Sequence, residues 1–243
     1  MIKKFHNICI DNFFSNPDLI RKYALSLEYH RSKDGSWPGE RSNTLNIINE
    51  NLQNLILAKV FAAYYPVSGY EISFDDTYLQ FQKIKPYSND KDSLKNTGWI
   101  HCDKAIVGGV IYLTPNPNPD SGTSLYDLKD EFKDLHNDDL QQTEKHNLHM
   151  GRFVTDYDEK LKEHNNKFKV KTIFKNVYNR MIMYSGSEYH CANNFHCDND
   201  RLTLAFFIKK LNVKNTPIDI IKGNIDKDIE SQLEHYKFDW NDK

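Results

Sequence analysis

A chain of 243 residues allows one large β-rich domain or two modest ones. Its 32 Lys and Arg against 34 Asp and Glu leave a net charge of −2, which gives no electrostatic footprint for nucleic acid or an anionic membrane. Four cysteines (Cys9, Cys102, Cys191, Cys197) form no CxxC pair. No stretch nears the roughly 18 consecutive apolar residues of a membrane span, and the first apolar run is too short for a signal peptide, so a cytoplasmic protein with reduced thiols is expected.

In chain order, FHNICIDNFF predicts a strand, and Asn16-Pro17-Asp18 predicts the start of a helix with Pro at its first position. Leu19, Ile20, Tyr23 and Leu27 give that helix an apolar stripe. A Gly/Pro/Ser-rich loop follows around Trp37, Pro38, Gly39 and Arg41, then a second amphipathic helix over roughly 48–64. From Gly69 the pattern turns to strands: two short ones in EISFDDTYLQFQKIKP, one over 105–114, and a short TSLY strand after the turn cluster NPNPDSG. Residues 127–169 are charged and poor in β-branched side chains, and read as a helical or partly mobile insertion outside the core. Two strands in VKTIFKNVYNRMIMYSG and one in RLTLAFFIKKLNV follow, then a polar tail with a short amphipathic helix around 221–236.

At least seven short strands after two helices argue for a sandwich or barrel with the helices on one outer face. The expectation is a single domain: helical support over 1–68, a β core over 69–213 interrupted at 127–169, and a tail over 214–243.

The segment WIHCDKAIVGGVIYLTP places His101 and Asp103 two residues apart at the mouth of a core strand. Side chains at i and i+2 of a strand share a face, so the two converge while Cys102 points elsewhere. Convergent polar groups beside a buried strand can bond each other, cap a turn or hold a metal. His190 is a candidate third partner. Two histidines and one carboxylate leave three positions open on a metal, the facial arrangement of non-haem Fe(II) oxygenases. A 2-oxo acid can occupy two of them and dioxygen the third. Arg201 and Thr203 share one face of a later strand, and a guanidinium beside a hydroxyl on an apolar strand suits a buried carboxylate. The distal carboxylate of 2-oxoglutarate is the candidate.

His101-Cys102-Asp103, His190 and Arg201-Leu202-Thr203 resemble the H-x-D…H…R-x-S/T pattern of the 2-oxoglutarate- and Fe(II)-dependent dioxygenases. VIYLTPNPNPDSGTSLY is similar to the YLN…GGET-F stretch of their prolyl-4-hydroxylase-like branch, and the ends and the WPGER loop resemble a less characterised phage and bacterial branch. The resemblance implies a mainly β, double-stranded β-helix (a jelly roll or cupin-like core) with iron at its open end. It implies His101, Asp103 and His190 as ligands of Fe(II), and Arg201 with Thr203 on 2-oxoglutarate. O2 would be the further co-substrate and succinate and CO2 the by-products, with a small molecule or a peptide side chain as the substrate hydroxylated. The Tyr that often stands three residues before the first ligand is Gly98 here, and Tyr112, Ser124 and Gln82 are possible replacements.

The blander alternatives are a cupin-like binding module without turnover and a structural, viral jelly-roll protein. His136, His146, His149 and His164 lie in the polar insertion and read, with His196, as surface residues. Asp198 and Asp200 read as builders of the turn before Arg201, with an ion pair to that arginine as its structural role. The WPGER loop either packs rigidly on the barrel or shapes a substrate pocket over the iron mouth, and the insertion is either a lid or a solvated excursion.

Overall fold

Strands form where apolar residues recur at every second position, and helices cover the face those residues leave apolar. The computed structural model describes residues 5–65, 72–133, 143–196 and 200–214. Near the amino end are β1 (Ile8–Ile10), α1 (Pro17–Leu25), β2 (His30–Arg31), β3 (Glu40–Arg41), α2 (Leu45–Ile48) and α3 (Glu50–Phe61). The core adds β4 (Ser73–Ile84), β5 (Val107–Tyr112) and β6 (Thr123–Leu128), then α4 (Thr143–His149) and α5 (Tyr157–Asn165). It closes with β7 (Phe168–Phe174), β8 (Met181–Ser185), β9 (Tyr189–Ala192) and β10 (Arg201–Asn212).

Among the described residues all strand pairs are antiparallel, in a seven-stranded sheet of order β1-β8-β5-β10-β4-β3-β2 and a three-stranded sheet β7-β6-β9. A single bridge joins His101 to His190 of β9, adding a short fourth rung to the small sheet. The chain therefore changes sheets repeatedly: β4, the His101 rung, β5, the β6–β7 pair, β8, β9 and β10 alternate between large and small. That is the jelly-roll winding of a double-stranded β-helix, the fold class expected from the sequence.

Alternation along β10 sets the two faces. Leu202, Leu204, Phe206 and Ile208 join the main core with Leu45, Ile56, Leu57, Val60 and Phe61 of α2 and α3. Each such side chain, fully buried, contributes roughly 1.5–3 kcal/mol. Arg201, Ala205 and Phe207 point the other way, into the space between the sheets. The helices start where polar caps permit: Asn16 Oδ1 accepts from Leu19 N at 3.1 Å with Pro17 next in line, and Asn49 Oδ1 accepts from Leu52 N at 3.0 Å.

Several expected boundaries differ. β4 is one twelve-residue strand instead of two, because it pairs with β10 along its whole length. The second helix is split at Asn49, which ends α2 and caps α3. Leu19 of the expected stripe is 61% exposed, whereas its Ile20, Tyr23 and Leu27 pack on the core beside Ala24. The short strands β2, β3 and β9 have no alternation long enough to mark them. The segment 127–169 is not wholly an excursion: β6 runs on to Leu128 and pairs with Phe168 of β7, and Tyr157 and Leu161 of α5 are buried against Trp99. The expected helix over 221–236 lies outside the described residues.

Candidate metal centre and the cavity around it

His101, Asp103 and His190 bring one donor atom each within 4.8 Å of one another. Asp103 Oδ1 lies 3.8 Å from His101 Nε2, and Asp103 Oδ2 lies 3.2 Å from His190 Nε2. The backbone that achieves this differs from the strand expected. β5 begins only at Val107, so neither His101 nor Asp103 is on it. His101 is fixed instead by its bridge to His190, with N–H to carbonyl distances of 3.0 and 2.7 Å. Asp103 is fixed by donating its N–H to the Gly186 carbonyl at 3.0 Å.

Both rings are oriented from behind. His101 Nδ1 is 2.8 Å from the Trp99 carbonyl and His190 Nδ1 is 2.9 Å from the Glu188 carbonyl. A carbonyl only accepts, so each Nδ1 carries a proton and each Nε2 is the nitrogen turned toward Asp103, able to ligate once it is free of a proton. Burial, then the charges of Lys145 and His190, push the His101 imidazole down to about 3, so it is neutral at pH 7. Burial alone would raise the Asp103 carboxyl, but the charge and proximity of His190, with His101 and Arg41, hold it down at about 2. Asp103 in turn raises His190 against its own burial. Asp103 Oδ2 is buried and, its 3.2 Å contact with His190 Nε2 apart, has no hydrogen-bond partner among the described residues. A buried carboxylate oxygen without a donor is costly. A cation between it and the two imidazole lone pairs satisfies all three, and nitrogen and oxygen donors of this kind suit a first-row divalent metal.

The trio opens on a cavity of about 480 Å³ between the two sheets. Arg201, on β10, reaches into it. Its Nε donates to the Ser121 carbonyl at 2.9 Å, and its guanidinium carbon stands 5.5 Å from the centre of the Tyr112 ring. Thr203 lies beside it on the same face, fully buried, with an Oγ1 that has no partner among the described residues. Tyr112 sits opposite Thr203 across β5 and β10 and donates its hydroxyl to Thr123 Oγ1 at 2.8 Å. Thr123, within the SGTSLY stretch but not singled out there, lines the cavity, whereas Ser124 is on the other face of β6. Gln82 also lines it, with Nε2 donating to the Pro38 carbonyl at 2.8 Å. Gly98 is glycine for a steric reason: a Cβ there would stand 2.5 Å from the Ala192 carbonyl, because the residue runs hard against β9.

Trp37, Pro38 and Arg41 of the WPGER loop line the cavity, so the loop shapes the pocket as well as packing. His149 and His164 are buried, against the surface placement expected. Distant carbonyls explain both: Gly35 accepts from His149 Nδ1 at 2.9 Å, and Ile100 accepts from His164 Nε2 at 2.6 Å. Burial drives these imidazoles down to about 3 and about 4. His146 is partly exposed as a surface residue would be, and His196 does not join the trio. Cys191 is buried, and burial pushes its thiol up to about 12, so neither it nor Cys102 joins the donor set. Asp200 forms no ion pair with Arg201 among the described residues; its carbonyl accepts from Thr114 Oγ1. His136, Cys197 and Asp198 lie outside the described residues. Among those residues no helix is long and apolar enough to cross a membrane.

No curated protein matches the sequence. Solved structures similar to it include the prolyl hydroxylase from Trichoplax adhaerens in complex with a hypoxia inducible factor peptide fragment. It is 11% identical with a TM-score of 0.47, over 83% of this chain and 82% of that one. HygX from Streptomyces hygroscopicus, with nickel, 2-oxoglutarate and hygromycin B bound, is 12% identical with a TM-score of 0.48, over 84% and 83%. The non-heme alpha ketoglutarate dependent epimerase SnoN from nogalamycin biosynthesis is 10% identical with a TM-score of 0.49, over 90% and 85%. One family model matches the sequence itself, over residues 3–208, and the chain belongs to that family, the family of unknown function DUF6445.

Proposed function

We propose that this chain is an Fe(II)- and 2-oxoglutarate-dependent dioxygenase that hydroxylates a C–H bond of a small molecule or a peptide side chain. The observation that carries the proposal is the Asp103 carboxylate set between the Nε2 atoms of His101 and His190, three donors within 4.8 Å of one another at the mouth of a cavity that also holds Arg201. His101, Asp103 and His190 would hold the iron. Held there with 2-oxoglutarate and O2, the metal supplies oxidative C–H hydroxylation with release of succinate and CO2.

The chain's own side chains do the rest. The Trp99 and Glu188 carbonyls keep both imidazoles in the ligating tautomer. Arg201, its Nε tied to Ser121, offers its remaining guanidinium donors to the distal carboxylate of 2-oxoglutarate, and Thr203 Oγ1 adds a further bond. Tyr112 supports that end through Thr123 and the face of its ring. Trp99 is itself pinned, Nε1 donating to the Tyr157 hydroxyl at 2.7 Å, so α5 braces the segment that carries the first ligand. The face of the cavity formed by Trp37, Pro38, Lys145 and His149 covers the site from the loop and from α4 and excludes water there.

Succinate release tests the assignment: Fe(II), 2-oxoglutarate and air should give slow uncoupled succinate formation that Asp103→Ala abolishes. A protein that binds metal but never turns over 2-oxoglutarate is a binding module instead.

A further inference from the structure

The cavity carries more positive charge than the iron and its co-substrate neutralise. Arg41, Lys104, Lys145, Arg201 and Lys209 line it, and Asp103 is the one carboxylate among the described lining residues. A divalent metal and Arg201 together balance Asp103 and the two carboxylates of 2-oxoglutarate. Arg41 and Lys145 are then left without counter-charge, and Lys104 and Lys209 stand exposed at the rim.

Arg41 is the informative one. Its Nε is buried with no hydrogen-bond partner among the described residues. It forms no ion pair there, and its one side-chain bond is a long 3.4 Å contact from Nη1 to Gln80 Oε1. The guanidinium carbon stands 4.9 Å from the Trp37 ring centre and 5.5 Å from that of Phe207, a rigid aromatic mount. Burial lowers it to about 10 despite the upward pull of Asp103, so it stays charged at pH 7. Trp37 Nε1, on the same loop, is a second buried donor without a partner among the described residues. Buried charges and donors are normally paired. Two orphans on adjacent cavity-lining residues mark a place where an acceptor binds.

Arg41 and Arg201 are not two hands for one co-substrate. Arg41 is level with Thr203 across Gln82 of β4, but its guanidinium leans away from that end, to Gln80 opposite Ala205 and over the ring of Phe207, six residues along β10 from Arg201. Phe207 pairs with Gly108, and a Cβ on Gly108 would lie 3.5 Å from Asp103 Oδ2, so Arg41 works beside the metal centre. Arg201 lies at the far end, against Tyr112.

We infer that the primary substrate carries an oxyanion, a carboxylate or phosphate, that docks on Arg41 and Trp37 Nε1 with Lys145 of α4 closing over it. This inference rests on the dioxygenase assignment, and places the substrate's anionic group beside the bond to be oxidised.

The test uses Zn(II)-loaded protein under saturating 2-oxoglutarate, titrated with inorganic phosphate and, separately, acetate at constant ionic strength, with melting temperature as the readout. One of the two anions should raise it, and which one tells phosphate from carboxylate. Arg41→Met should weaken that anion at least tenfold and Lys145→Met several-fold, while the 2-oxoglutarate concentration needed for half-saturation stays unchanged in both. The inference is overturned if neither anion protects the wild type, or if both variants respond as it does. Should the wild type show no 2-oxoglutarate binding at all, the dioxygenase assignment fails; the same titration on metal-free protein then decides the Arg41 site by itself. If Arg41→Met does not fold, Arg41→Gln and Lys145→Met carry the comparison.

Discussion

His101 and His190 face each other across a single antiparallel rung, each amide donating to the other's carbonyl, with ring centres 4.6 Å apart. Residues 89 positions apart are thus locked to one another by backbone before any ligand is bound. A metal site built this way is preorganised, because side-chain rotation is the main freedom left and the Trp99 and Glu188 carbonyls remove much of that.

The brace behind Trp99 should be measurable. Tyr157→Phe leaves Trp99 Nε1 buried without its 2.7 Å partner, at a cost of about 1–3 kcal/mol. Because the Trp99 carbonyl orients His101, metal affinity should fall roughly tenfold as well. Thermal melting together with a competitive Zn(II) titration reads both. Unchanged affinity would show that the Trp99 segment holds its position without α5.

Arg201→Met should raise the dissociation constant for 2-oxoglutarate roughly 30-fold or more, about 2 kcal/mol, as expected for losing a buried charge-assisted contact. Metal affinity should not move, since Arg201 is not part of the trio. Arg201→Lys should recover only part of the loss, because it cannot reproduce the fork of donors. Calorimetry on the Zn(II) form would separate the two.

Gly98→Ala pushes a Cβ to 2.5 Å from the Ala192 carbonyl. Overpacking of this kind costs roughly 1–3 kcal/mol, a fall of about 2–10 °C in Tm for a chain of this size. An unshifted melting curve would mean that β9 yields readily at Ala192.

Stability should fall with acidity before the carboxylates titrate. His149 and His164 are neutral when folded, their imidazoles pushed by burial to about 3 and about 4. The unfolded chain takes up those protons near pH 6.5, so the stabilisation is complete above that value and drains away as pH falls toward 4. Tm should therefore decline between pH 6.5 and 5. His164→Gln should show a shallower decline, whatever its absolute Tm. An equal slope in that variant would place the titration elsewhere.

Much of this was legible in local pattern. Alternation marked β5 and β10, Asn16-Pro17 marked α1, and the pattern of His101, Asp103 and His190 marked three donors that the fold brings together. What escaped depends on contacts between distant segments. β2 and β3 are two-residue strands that exist because β4 offers a pairing edge. His149 and His164 are buried by carbonyls 114 and 64 residues away, which polarity of the surrounding sequence cannot signal. HCD also did not announce its mount: His101 belongs to the small sheet and Asp103 to a loop tied to Gly186, so convergence comes from β9 rather than from strand parity. Arg41 stood out in the sequence only as part of the WPGER loop, and its missing partner became visible once Trp37 and Phe207 closed around it.

If His101, Asp103 and His190 hold Fe(II) and Arg201 holds 2-oxoglutarate beside it, metal and co-substrate bind as one chromophore. The most direct measurement adds Fe(II) and then 2-oxoglutarate to the protein without oxygen and records the visible spectrum. A weak charge-transfer band should appear only when both are present, vanish in His101→Ala and Asp103→Ala, and need far more 2-oxoglutarate in Arg201→Met. A wild-type protein that gives no band and forms no succinate on admission of air would contradict the account.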